Sequence, residues 1–236
     1  PMLLTEVFTQ LTHGELSQVH IGGAEDAGVT PENYEAIVSH INLGLTALYN
    51  RFLLKEGTLY LERQPGMRTY ILDSKYQVGN RFSREITRYI EESPTFTDDI
   101  FKVERVYDTA GREQGLNDET DCTSIQTPSL KTLYIPDASE VTGLRVVYRA
   151  SHSKIVIEDG DLDPDEVELE LPDSHLEALL MFVASRIMNP VGMSAEFHDG
   201  NNYAAKYEMA CKKLEDQNVR LDKVTNNDRI TRNGWA

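Results

Sequence analysis

The sequence of residues 172–222 is PDSHLEALLMFVASRIMNPVGMSAEFHDGNNYAAKYEMACKKLEDQNVRLD, and two helical patterns meet within it. The apolar residues of the first pattern recur at helical spacing and form one stripe, which consists of Leu176, Leu179, Leu180, Val183 and Ile187. A break at residues 189–193, with Pro190 and Gly192, ends this pattern. The second pattern is more polar, and its thinner stripe consists of Tyr203, Tyr207, Ala210, Leu214 and Leu221. We therefore predict an αα-hairpin, against which the rest of the chain must pack.

Two further amphipathic patterns lie near the N-terminus. Residues 3–11 predict a short helix. Thr30 and Pro31 then supply an N-cap and a proline in the first helical turn, and the stripe of the helix that follows extends to Phe52. Because each apolar stripe must be buried, helical sequence at the two ends of the chain is expected to pack together.

After Gly57 the hydrophobic period changes from that of a helix to that of a strand. The predicted strands cover residues 58–62, 101–107, 130–135, 144–149, 154–158 and 166–171. A short helix is predicted around Phe82, Ile86 and Ile90. The predicted fold is therefore α+β, an α-helical bundle formed by the N- and C-terminal helices with an inserted, mostly antiparallel β region. Its predicted parts are a helical body (1–56 and 173–222), the inserted β region (57–172) and an extended C-terminal arm (223–236).

Composition limits the classes of function. The chain has 236 residues and a net charge of -16, which disfavours a protein that grips nucleic acid by neutralising phosphates. The two cysteines, Cys122 and Cys211, show no metal-binding spacing and are expected to be free thiols. No apolar run approaches the roughly 18 residues that span a bilayer, so no membrane partner is expected.

Acidic residues form two candidate sites between positions 159 and 170. Glu166, Glu168 and Glu170 alternate with apolar residues, which predicts a strand with one packed face and one row of carboxylates, the acidic row. Upstream, Asp159, Asp161 and Asp163 have the spacing of a calcium loop. Pro164 occupies the position where that loop needs glycine, so we favour a solvated acidic turn over a weak cation site, and no metal or cofactor is expected.

No catalytic motif is present in the sequence. There is no G-x-S-x-G segment, no P-loop and no H-E-x-x-H pair among the six histidines, so an enzyme is not expected. The C-terminal arm has no periodicity but contains the only tryptophan, Trp235, preceded by Arg229 and Arg232. A tryptophan in such a segment fits an anchor that docks into a partner's pocket, and the alternative is an unstructured end without a role.

The order of a long N-terminal helix, a β region and a C-terminal helical pair with the segment ASRIMNP at 184–190 resembles the head-to-tail adaptors of tailed bacteriophages. Within that family it is most similar to the tail tubular protein A type of short-tailed, podovirus-like phages. The resemblance implies a virion structural protein at the head–tail junction, assembled in the host cytoplasm. It also implies a homo-oligomeric ring, expected to be a dodecamer, between the portal protein and the tail nozzle or tail tube protein.

The resemblance further implies a central channel through which double-stranded DNA passes during DNA ejection without tight binding. The C-terminal arm would reach the portal, with Asp222, Arg229, Arg232 and Trp235 as the proposed contacts. The acidic row would suit a channel wall because it repels phosphates, although we favour an outer solvated face as its explanation. Alternative interpretations are a tail terminator or stopper ring, a tail-associated peptidoglycan hydrolase, and a binding module unrelated to phage.

Overall fold

The structure is a computed structural model, and it describes residues 2–79, 87–157, 162–188 and 194–217, with side chains left out at 194–200. Four sequence predictions lie wholly or mainly outside the described residues. They are the short helix beginning at Phe82, the acidic turn beginning at Asp159, the break at 189–193 and the C-terminal arm.

Four α-helices and eight strands occur in the described part of the chain. The helices are α1 (Leu4–His13), α2 (Tyr34–Arg51), α3 (Leu176–Ile187) and α4 (Ser194–Asp216). The strands are β1 (Met2–Leu3), β2 (Glu56–Glu62), β3 (Thr69–Ile71), β4 (Ile100–Asp108), β5 (Gln126–Ser129), β6 (Thr132–Tyr134), β7 (Gly143–Ala150) and β8 (Glu168–Leu169). They form three antiparallel sheets, with strand orders β1-β8, β2-β7-β4 and β3-β6-β5.

The predicted fold class, a helical bundle with an inserted β region, is wrong. The described chain is a mixed α/β fold, and its strands carry a buried core of their own. The chain forms two compact units: a terminal unit of Pro1–Leu54 with Ser153–Ala236, and a central unit of Lys55–His152. The terminal unit itself contains a sheet, because Met2 pairs with Leu169 and Leu3 with Glu168. Hydrophobic periodicity indicates which face of a segment is buried but not what covers it, and this is why the prediction failed.

Helices α1, α2, α3 and α4 bury their apolar stripes in the core of the terminal unit. The start of α2 is fixed by the 3₁₀ turn that directly precedes it, Pro31–Asn33, where the backbone N–H of Thr30 donates to Oδ1 of Asn33 at 3.0 Å. At Gly44 the helix lies so close to α3 that a Cβ would stand 2.7 Å from Cδ1 of Leu179. The absence of a side chain at Gly44 therefore allows the close approach of α2 and α3.

Two predicted strands differ from the structure. Residues 154–157 contain no strand; instead the side chain of Asn42 on α2 binds the backbone of Ile155, with its amide donating to the Ile155 carbonyl at 2.9 Å. The Ile155 N–H in turn donates to Oδ1 of Asn42 at 3.0 Å. The strand predicted at 166–171 is reduced to Glu168–Leu169, because β1, the strand that pairs with it in the described part of the chain, has two residues. Alternating side chains therefore persist beyond the residues that form the ladder.

The central unit has a separate hydrophobic core. It is formed by one face of the β2-β7-β4 sheet together with aromatic side chains from neighbouring segments. Its buried residues include Leu59, Leu61, Tyr70, Leu72, Tyr89, Ile90, Val103, Val106, Leu133, Leu144 and Val146. The central strand β7 is buried along most of its length, as expected for a strand with a partner on each side.

Candidate functional site

The acidic row has the alternation that the sequence predicts. Glu166, Glu168 and Glu170 are exposed, whereas Leu169 and Leu171 are buried in the core of the terminal unit. The backbone of this segment is anchored to the beginning of α1, where the N–H of Leu4 donates to the carbonyl of Val167 at 2.9 Å. The three carboxylates therefore lie on one surface, and the backbone that carries them is held in place by the beginning of α1.

Glu170 is held from the other side by α2. The hydroxyl of Tyr49 donates a hydrogen bond to the backbone carbonyl of Glu170. Burial, together with the nearby carboxylate of Glu170, raises the pKa of Tyr49 to about 12. Tyr49 therefore stays neutral at physiological pH and acts as a hydrogen-bond donor that positions the end of the acidic row.

Only one of the three candidate cation ligands lies within the described residues. Asp163 is exposed, and its Oδ1 accepts a hydrogen bond from the N–H of Asp165 at 3.0 Å. Asp159 and Asp161 lie outside the described residues. In residues 162–188 and the other described segments, no group of three or more His, Cys, Asp or Glu side chains is arranged to hold a metal ion. The contact made by Asp163 is that of a turn-forming aspartate.

The C-terminal hairpin packs through a narrow stripe on α4. Ala210, Cys211 and Leu214 are buried, and the ring of Tyr207 contacts Phe182 edge-on, with centroids 5.4 Å apart. Burial raises the pKa of the Tyr207 hydroxyl and that of the Cys211 thiol, so both remain protonated at neutral pH. Most other side chains between 201 and 217 are exposed. A long polar surface therefore remains on α4.

Arg51 is a positioning residue that the sequence patterns did not reveal. From the last turn of α2 it reaches α4, where Nη1 lies 2.8 Å from Oε2 of Glu208 and Nε lies 2.9 Å from Oε1 of Glu215. Glu208 and Glu215 are seven residues apart, which places them two turns apart on one side of a helix. That spacing beside the apolar stripe was the only available signal, because the partner lies far away in sequence.

The proposed portal contacts, Asp222, Arg229, Arg232 and Trp235, lie outside the described residues. The structure therefore brings together the three glutamates of the acidic row but leaves the contacts of the C-terminal arm as a prediction. No helix in the described residues is long and apolar enough to cross a membrane.

His175 is a buried titratable group at the start of α3. Its side chain is 1% exposed, its Nδ1 lies 3.1 Å from Oγ of Ser174, and its ring meets Phe52 edge-on at 4.8 Å. Burial lowers the pKa of His175 below its ordinary value of 6.5. The folded protein thus holds this imidazole in its neutral form.

Lowering the pH from about 7.5 to about 5.5 is expected to reduce the free energy of unfolding. Below 6.5 the unfolded chain binds a proton at His175 that the folded chain does not, so the stability present above that pH is lost as the pH falls. One such group changes stability by at most about 1.4 kcal/mol per pH unit. Urea midpoints at both pH values measure the effect.

The matched variants are His175→Phe and, at an exposed position, His13→Gln. His175→Phe should flatten the pH dependence and His13→Gln should leave it unchanged. Part of the pH dependence should remain in His175→Phe because of His40, whose pKa is also lowered by burial and by Arg186. Equal pH dependence in the wild type and His175→Phe would contradict the assignment.

No protein-family model matches the chain, and a comparison with curated proteins found no match either.

Proposed function

We propose that this protein is a subunit of a head-to-tail adaptor ring, a virion structural protein that joins the portal to the tail and forms part of the DNA channel. The observation that carries the proposal is α4. This helix has 23 residues and a length of about 35 Å, and among its described side chains, from residue 201 on, one narrow stripe is buried. A long helix with a broad exposed surface suits a ring subunit, because neighbouring subunits can pack against the helix surface that is exposed in the monomer.

Two further features support the same function. Met209 is 69% exposed on α4, among polar residues, and offers an apolar contact to a neighbouring copy. The acidic row presents carboxylates on a fixed surface, and a channel wall with such a surface would repel the phosphates of passing DNA. The overall charge of -16 acts in the same direction, since contacts that slow a sliding duplex require cations.

The direct test is oligomerisation. The purified protein, alone and mixed with portal rings, should form rings visible by negative-stain electron microscopy, and light scattering should give the subunit number. Rings that bind a tail tube but not the portal would favour a terminator or stopper. A protein that remains monomeric under all these conditions would contradict the proposal, and clearing of a cell-wall zymogram would favour a hydrolase.

Removal of the C-terminal arm, residues 223–236, is expected to abolish co-sedimentation with portal rings. The arm carries Trp235, and tryptophans at interfaces often contribute about 2 kcal/mol or more, equivalent to a loss of about 30-fold in affinity. Trp235→Ala should therefore reproduce most of the loss, whereas the matched variant Thr231→Ala should bind normally. Far-UV circular dichroism checks that each variant keeps its fold, and unchanged binding by the truncated chain would refute the role of the arm.

A further inference from the structure

A row of three side chains crosses the β2-β7-β4 sheet of the central unit. Arg145 on β7 pairs with Tyr60 on β2 and with Tyr107 on β4. Directly opposed residues in antiparallel strands project from the same face of a sheet. The three side chains therefore lie side by side across one face of the sheet, with Arg145 in the middle, and we call them the stacking row.

The guanidinium group of Arg145 lies over the ring of Tyr107, 4.3 Å from its centroid. Within the described residues it makes no hydrogen bond and no ion pair. Other arginines of this sheet are paired: Arg105 with Glu56 at 3.0 Å and Arg149 with Glu104 at 3.0 Å. Arg145 is thus oriented by an aromatic ring while its N–H donors remain available to a ligand.

A cavity of about 690 Å³ adjoins the stacking row at the end of the sheet where β2 ends and β7 begins. Tyr60 and Arg145 contribute to its wall. Gly111 also lines it, and a Cβ added at Gly111 would meet no atom within 4 Å. This volume lies within the range of roughly 300–1,000 Å³ that is typical of small-molecule sites. The cavity therefore has room for a ligand of nucleotide size beside the exposed ring of Tyr60.

The carboxylates around the cavity restrict the ligand. The carboxylate of Asp108 is occupied, because it accepts hydrogen bonds from the N–H of Arg112 and from Nε of Arg112, at 2.9 and 2.8 Å. These contacts lower the pKa of Asp108. Glu62 and Glu91 also line the cavity and are exposed. They would repel a large polyphosphate but can accept hydrogen bonds from amino or hydroxyl groups.

We propose that the stacking row binds a nucleobase together with its phosphate. The base stacks on the ring of Tyr60, the phosphate accepts hydrogen bonds from the guanidinium group of Arg145, and Glu62 or Glu91 accepts from the amino group of the base. Stacking on an aromatic ring and a bidentate contact to phosphate are the contacts that these side chains make best. A free nucleotide and a single-stranded nucleic acid both present a base and a phosphate, and the test below distinguishes these two ligands.

The test uses the full chain and two probes. Ligand-observed saturation-transfer NMR measures binding of AMP, and fluorescence anisotropy measures binding of fluorescein-labelled hexadeoxyadenylate. AMP should bind with a Kd of about 1 mM or tighter, and ATP more weakly because of Glu62 and Glu91. Binding of AMP alone identifies a free-nucleotide site, and tighter binding of the oligonucleotide identifies a single-strand site. Failure of both probes to bind at about 1 mM overturns the proposal.

Variants connect binding to the stacking row. Arg145→Gln and Tyr60→Ala should each weaken binding by about tenfold, whereas Tyr60→Phe should retain it because stacking needs only the ring. Arg105→Gln is the matched control, since it removes a guanidinium from the same sheet that is already paired with Glu56. Thermal melts confirm that the variants are folded. Binding that survives Arg145→Gln and Tyr60→Ala combined also overturns the proposal.

Discussion

Tyr89→Ala is expected to lower the free energy of unfolding of the central unit by about 3–5 kcal/mol. The side chain is 1% exposed, and its ring contacts two other tyrosines: Tyr70 edge-on at 5.0 Å and Tyr76 stacked at 4.8 Å. Truncation removes both ring contacts and leaves a cavity that the surrounding strands can fill only in part. Urea unfolding measures the loss, and hydrogen exchange should locate it within Lys55–His152.

The hydroxyl group of Tyr89 contributes separately. It accepts a hydrogen bond from the N–H of Ile71 at 2.9 Å and donates one to the Ile71 carbonyl at 2.8 Å, so a side chain here replaces a strand partner for β3. Tyr89→Phe keeps the ring and leaves these backbone groups unpaired, at an expected cost of about 1–3 kcal/mol. Tyr60→Ala, at an exposed position of β2, should cost less than either. A smaller loss for Tyr89→Ala than for Tyr60→Ala would contradict this account.

The features that the sequence predicted well depend on short-range chemistry. The beginning of α2 follows from Thr30 and Pro31, because an N-cap and a proline at the first turn act on the adjacent residues. The stripe on α3 and the alternation of Glu168 with Leu169 likewise reflect periods that a few neighbouring residues reveal. Local patterns of this kind identify an element and its buried face.

The features that the sequence did not predict depend on pairing between distant segments. Nothing near Met2 indicates that it pairs with Leu169, and a two-residue strand is too short for a periodic pattern. The stacking row has the same origin, since Tyr60 and Arg145 come together only through the register of β2 and β7. The fold class was wrong for this reason: a helical face can be covered by a helix, a strand or a loop, and periodicity does not distinguish them.

The candidate site shows the same division. The exposure of the acidic row could be predicted from alternation alone, but its fixation by Tyr49 could not, because the contact is between a side chain of α2 and a backbone carbonyl 121 residues away. Arg51 reaches its partners on α4 over an even longer separation in sequence, 157 and 164 residues. Residues that position a site from another element are therefore found only once the elements are packed.

Leu179→Ala is expected to lower the free energy of unfolding of the terminal unit by about 2–5 kcal/mol. Leu179 is fully buried on α3 and touches the position of Gly44 on α2, where the helix axes are brought close. Denaturant unfolding followed by circular dichroism measures the loss. The matched control is Leu43→Ala on α2, where the leucine is 46% exposed and the expected change is about 0.5 kcal/mol or less. Similar losses at the two positions would contradict the packing.

Gly44 provides a sharper test of the same contact. In the wild-type chain, a methyl group at Gly44 would stand 2.7 Å from Cδ1 of Leu179, so the repulsion offsets the gain of about 1 kcal/mol that alanine brings to a helix. In the Leu179→Ala background the repulsion from Leu179 is gone and the methyl group fills part of the cavity, while Cδ1 of Phe182, 3.0 Å from the methyl position, has to give way by only a few tenths of an ångström. Gly44→Ala should then stabilise the protein by about 1 kcal/mol, so the double variant is less destabilised than the sum of the single changes. If the change in the free energy of unfolding of the double variant equals the sum of the two single changes, positions 44 and 179 do not touch. A double variant that is less destabilised than this sum is expected only when the Leu179 side chain occupies the space that a methyl group at position 44 needs.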